Sequence, residues 1–81
     1  MNKIDLMKAR LQTLQPSYLE IIDDGAAHAG HHAAGGGHFT LIIRSPLFAD
    51  QTQLKRHQMI YAALGDLFPH AIHALSIQIK S

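Results

Sequence analysis

The sequence predicts a small α+β domain in which two helices pack on one face of a short sheet. Three observations carry this prediction. Two stretches repeat apolar residues at spacings of three and four, three stretches are rich in strand formers, and Pro and Gly residues separate them. The resulting order is helix, strand, strand, helix, strand. The chain has 81 residues, and a single domain over 1–81 would bury about 60–65% of its extended surface, enough for one modest core.

In the first helix, Ile4, Met7, Leu11 and Leu14 form the apolar stripe, with Lys3, Lys8, Arg10 and Gln12 on the other faces. Pro16 disfavours helical geometry at Gln15, so the helix should end near Leu14. Tyr18-Leu19-Glu20-Ile21-Ile22 reads as a strand closed by Asp23-Asp24-Gly25. From Gly25 to Gly37 the chain holds only Gly, Ala and His. Nothing there can anchor a core, which predicts a flexible loop over about 25–37. His38 to Arg44 is the clearest strand: Phe39, Leu41 and Ile43 share one face, while Thr40, Ile42 and Arg44 share the other. Ser45-Pro46 breaks it, and Leu47-Phe48 fits a short turn.

Asp50 or Thr52 can cap the second helix, and Gln53 follows Asp50 at capping-box spacing. Leu54, His57, Ile60, Tyr61, Leu64, Leu67 and Phe68 then line one side, and Pro69 closes the element. Ile72 to Ile79 alternates as a last strand, with His73, Leu75, Ile77 and Ile79 on one face.

Composition removes several function classes. The chain has no cysteine, so it offers no disulfide, thiol nucleophile or thiolate metal site of its own. There is no Gly-X-Ser-X-Gly elbow, phosphate-binding loop or paired-carboxylate constellation, and the expectation is a protein that is not an enzyme. No apolar run approaches the ~20 residues of a bilayer span. Met1 to Asp5 lacks a signal-peptide pattern, which makes a cytoplasmic protein the expectation. Net charge is +1, thin for a nucleic-acid binder. Histidine is the unusual resource: there are seven, and protonating all of them would raise the formal charge from +1 to +8.

Laid out in this way, the chain resembles the BolA family over nearly its whole length. Four features carry the resemblance: Asp23-Asp24-Gly25-Ala26-Ala27-His28; the Gly-rich loop running into His38-Phe39; Ser45-Pro46-Leu47-Phe48 with Arg56-His57 and Met59-Ile60-Tyr61; and Ile72-His73-Ala74-Leu75-Ser76-Ile77. The resemblance implies a BolA-like αββαβ domain with a three-stranded mixed sheet, similar to the class II KH architecture. It also implies a partner, a monothiol glutaredoxin. The resulting heterodimer shares a 2Fe–2S cluster held together with glutathione, and no cluster is expected on this chain alone.

The cluster ligands implied by that likeness are His73 and one loop histidine. By position His28 is the first candidate and His31 the alternative. Two imidazoles can replace two thiolates on one iron, so a cysteine-free chain fits half of a shared site. Other histidines draw blander readings. His57 is structural at the helix–sheet seam, His38 orients the loop, and His70 has no role.

The family also contains DNA-binding regulators of stress response and cell morphology. For this chain that alternative would place helix two in a groove, with Lys55 and Arg56 on phosphates and Arg44 and Lys80 nearby. A third reading has the loop buffering zinc, copper or nickel without specificity. Homodimerisation is left open.

Overall fold

The computed structural model describes residues 2–24, 37–68 and 70–80. The predicted loop, apart from Gly37, and the helix-closing Pro69 lie outside them, as do His28, His31 and His32. The elements are α1 (Lys3–Leu11), β1 (Tyr18–Asp23), β2 (His38–Arg44), α2 (Gln53–Leu64) and β3 (Ala74–Ile79). Short 3-10 turns cover Gln12–Leu14, Pro46–Phe48 and Gly65–Leu67.

The Asn2 side chain caps α1 by accepting the Asp5 N–H at 2.8 Å. The α geometry stops at Leu11, three residues short of Leu14, and the chain tightens into a 3-10 turn. Gln15 then leaves the right-handed region altogether, at φ 51°. Pro16 is the physical reason, since its ring excludes right-handed helical geometry from the preceding residue. Ser45 pins this turn to the end of β2: its buried hydroxyl donates to the Leu14 carbonyl and accepts the Leu47 N–H at 3.0 Å. Both polar demands of a buried Ser are thereby met.

Thr52, rather than Asp50, caps α2: its hydroxyl accepts the Lys55 N–H at 3.0 Å. Asp50 sits at φ 64°, so the Asp50–Gln53 capping box does not form. The helix ends before Pro69, at Gly65, whose φ of 42° turns the chain into the last 3-10 segment. The core-facing arc is narrower than the apolar stripe suggests. Ile60, Leu64 and Leu67 are buried, whereas Leu54 is 69% exposed and Tyr61 43%. A sheet of three strands shared with α1 leaves no partner for a leucine on the first turn of α2. Tyr61 instead packs against Phe68, ring to ring at 5.4 Å.

The strand order is β1-β2-β3, with β1 antiparallel and β3 parallel to the central β2. A parallel neighbour needs a crossover, and α2 supplies it. Leu41 stands at the centre, opposite Ile21 on one side and Ile77 on the other. With Phe39 and Ile43 it faces Met7, Leu11, Ile60 and Leu64 in a single core cluster. This is the expected fold, both helices on one face of a mixed sheet. The last strand is shorter than predicted. Ile72 is fully buried and gives its N–H to the Leu67 carbonyl at 3.0 Å, so it closes the connector, and pairing begins at Ala74.

Arg10 reaches Asp66 at 2.6 Å and ties α1 to the turn after α2. The guanidinium, chiefly through the hydrogen bond, holds the Asp66 carboxyl below its ordinary value of 3.8. A carboxyl lowered in the folded state stabilises above the unfolded value and loses that contribution as pH falls through the folded one. Asp66→Asn should therefore lower the melting temperature slightly near neutrality, and the difference from the parent should shrink as pH falls below 3.8. Paired thermal melts check this; a difference that persists in acid means the pair is not the cause.

Candidate functional site

His73 occupies the bend immediately before β3, and the end of the loop segment holds it there. One acceptor, the Gly37 carbonyl, takes both the His73 N–H at 2.7 Å and the Ala74 N–H at 3.0 Å. On the other side of the bend, Ala71 and Ile72 donate to the Leu67 carbonyl at 2.9 and 3.0 Å. The backbone of His73 is thus clamped from both directions, while the residue itself is exposed.

Gly37 is what allows so close an approach. Its φ is +76°, and a Cβ there would stand 3.1 Å from both the Cγ and the backbone N of His73 and 3.2 Å from its Nδ1. Only glycine enters this geometry without strain or crowding.

The parallel register brings a second imidazole to the same end of the sheet. His38, the first residue of β2, pairs with Ala74, and its ring lies edge-on to that of His73 with centroids 6.5 Å apart. On β1, Asp23 pairs with Phe39, so both described ends of the His-bearing segment, Asp24 and Gly37, flank this spot. Asp24 accepts a hydrogen bond from the Thr40 hydroxyl, anchoring its end of the segment to β2. The site is therefore an exposed pair of nitrogen donors at the root of the segment that carries His28 and His31. Those two predicted residues lie outside the described ones. His38 was singled out in the sequence only as a loop-orienting residue, and Gly37 was not singled out; the glycine run hid the position, and only the register reveals it.

The other described histidines lie elsewhere. His57 is half-buried on α2, its Nε2 3.4 Å from the Gln53 side-chain nitrogen, and His70 is exposed. Among the described residues, no three His, Cys, Asp or Glu side chains gather as a metal site. What these residues bring together is two imidazoles, fewer donors than a closed metal site needs.

The two helix cations singled out for DNA differ in setting. Lys55 is exposed, whereas Arg56 is half-buried with its Nε bonded to the Phe48 carbonyl at 3.0 Å. Arg56 instead lines a cleft of about 800 Å³ together with Arg44 and Lys80, at the end of the sheet remote from His73. Within it the Lys80 ammonium lies 5.1 Å from the centre of the Tyr18 ring. Tyr18 donates to Glu20 at 2.6 Å, and that bond is the main reason its hydroxyl titrates above the ordinary value of 10.0. Among the described residues, no helix is long and apolar enough to cross a membrane.

Comparison with known proteins places this geometry. The family model described as BolA-like protein matches residues 11–81. SufE-like protein 1, chloroplastic/mitochondrial, of Arabidopsis thaliana is 40% identical over 75 residues, covering 84% of this chain and 20% of that protein. The DNA-binding transcriptional regulator BolA of Haemophilus influenzae is 35% identical over 66 residues, covering 80% of this chain and 62% of that one. The chain thus spans less than two thirds of either relative. Among solved structures, BolA1 from Arabidopsis thaliana superposes with a TM-score of 0.84 at 34% identity, covering 99% of this chain and 92% of that one. The match over residues 11–81 and the fold shared with BolA1 make this chain a member of the BolA-like family.

Proposed function

We propose that this protein is a non-catalytic adaptor that pairs with a monothiol glutaredoxin, shares a 2Fe–2S cluster with it and acts in cluster assembly, trafficking or iron sensing. The observation that supports this reading is the clamped, exposed His73 beside His38, at the root of the segment bearing His28 and His31. His73 serves as the fixed ligand. A second imidazole comes from the segment, His28 first and His31 as the alternative, with His38 adjacent. The partner's cysteine and a glutathione thiol supply the sulfur ligands that this chain lacks.

The cluster contributes one-electron redox chemistry, and imidazole ligation raises its reduction potential relative to all-thiolate coordination. The chain's own part is to bind and to orient. A ligating imidazole must be neutral, so protons compete with iron for its lone pair. The Gly37 carbonyl fixes the His73 backbone and so limits the ordering that binding must complete.

Titrating the protein into glutathione-bound, cluster-loaded monothiol glutaredoxin tests this reading. Visible absorption and circular dichroism should change and saturate at one-to-one stoichiometry, and His73→Ala should abolish the change. His28→Ala, His31→Ala and His38→Ala then identify the second ligand. An unchanged spectrum with no complex would falsify the proposal.

A second reading, a DNA-binding regulator of stress response and cell morphology, draws on the likeness to the Haemophilus DNA-binding transcriptional regulator. Lys55 and Arg56 would carry it, Lys55 being exposed and Arg56 half-buried with its Nε bonded to the Phe48 carbonyl. Binding that weakens steeply with salt and falls in Lys55→Ala would favour it.

A further inference from the structure

The cleft at the far end of the sheet carries a chemistry that the His73 site does not use. From His38 to Arg44 is the length of β2, about 20 Å at the usual rise per residue. At the Arg44 end, cations from three separate segments meet: Arg44 ends β2, Lys80 follows β3 and Arg56 lies on the second turn of α2. The register forces the first two together, because Lys80 donates its N–H to the Ile43 carbonyl at 2.8 Å. Arg56 is oriented by its Nε bond to Phe48. Among the described residues, no carboxylate lines the cleft. Glu20, on the neighbouring stretch of β1, is engaged by the Tyr18 hydroxyl at 2.6 Å. Three cations gathered on one concavity repel one another, and a bound anion relieves that repulsion.

We propose that this cleft binds the phosphate group of a small phosphorylated ligand. Two guanidinium forks and an ammonium suit the several oxygens and double charge of a phosphomonoester better than a singly charged carboxylate. The volume of about 800 Å³ is that of a small-molecule site. Two features favour a compact ligand over a nucleic-acid strand. The cations converge on one concavity instead of following a track. The aromatic side chains of the cleft are also unsuited to base stacking: the Lys80 ammonium already lies over the Tyr18 ring, and Phe48 is 97% buried (3% exposed). Recognition therefore rests on the phosphate and discriminates little among the groups attached to it. The proposal is independent of cluster sharing, which uses the other end of β2.

The test is an amide NMR titration of the full chain with inorganic phosphate, AMP, acetate and a short DNA duplex, at low salt. Phosphate and AMP should give saturable shifts at Arg44, Arg56 and Lys80, leaving His38 and His73 unmoved; acetate should bind at least tenfold more weakly. The double variant Arg44→Gln, Lys80→Gln should weaken phosphate at least tenfold. Both residues are exposed, so the variant should fold, which its spectrum will show. Arg56→Lys, which keeps the charge and removes the fork, should weaken AMP by a smaller factor. Equal binding of acetate, shifts that persist in the double variant, or no saturation by phosphate overturns the proposal. Binding of the duplex without binding of phosphate or AMP does so too, and assigns the cleft to nucleic acid.

Discussion

Leu41→Ala should be among the most damaging single truncations in this domain, at about 3–5 kcal/mol, the upper part of the range for buried leucines. Leu41 is fully buried at the centre of the central strand, with Ile21 and Ile77 as its cross-strand partners. The lost methyls leave a cavity that neither helix can fill without releasing Met7, Leu11, Ile60 or Leu64 from the same cluster. A domain of this length has a total stability of roughly 4–12 kcal/mol, so the variant stands near the edge of unfolding. Urea denaturation should show a midpoint lowered by about a quarter or more with the slope unchanged. Leu54→Ala is the matched control. Leu54 is 69% exposed, and its truncation should change stability by less than about 0.5 kcal/mol. If the two substitutions cost the same, the packing described for β2 and α2 is wrong.

That pair of leucines also measures how far the sequence reaches. Alternation from His38 to Arg44 identifies β2 residue by residue, because a strand with one buried face has only one register that hides Phe39, Leu41 and Ile43. Helical periodicity is less exacting. It places Leu54 and Leu64 on one stripe, but burial depends on how much sheet lies beneath, which is a property of the assembled fold. Cap choice is similarly tertiary. Asp50 and Thr52 both suit an N-terminus, and the left-handed turn at Asp50 decides for Thr52. The site follows the same division. The sequence singles out His73 through family likeness, whereas the partnership of Gly37, His38 and His73 arises from the parallel register between β2 and β3. The basic cleft likewise depends on where the ends of β2 and β3 meet the first half of α2, and charge counting at +1 conceals it.

Gly37→Ala should silence the His73 site while leaving the protein folded. Two separate costs arise at this position. The first is conformational: φ of +76° is strained for a residue with a Cβ, by about 1–2 kcal/mol, which lowers the melting temperature of a domain this size by roughly 4–16 °C. The second is local. The new methyl would stand 3.1 Å from the Cγ and backbone N of His73, so the ring, the bend or both must move. The Gly37 carbonyl that anchors His73 and Ala74 shifts with them. Gly65→Ala separates the two costs, since Gly65 also has positive φ, at 42°, but a Cβ there meets nothing within 4 Å. Both variants should therefore lose stability, but only Gly37→Ala should weaken the response to cluster-loaded glutaredoxin, by tenfold or more. Equal weakening in both would trace the loss to general destabilisation. No weakening in either would mean that the position of His73 does not govern cluster sharing, and the clamp would then be a folding device alone.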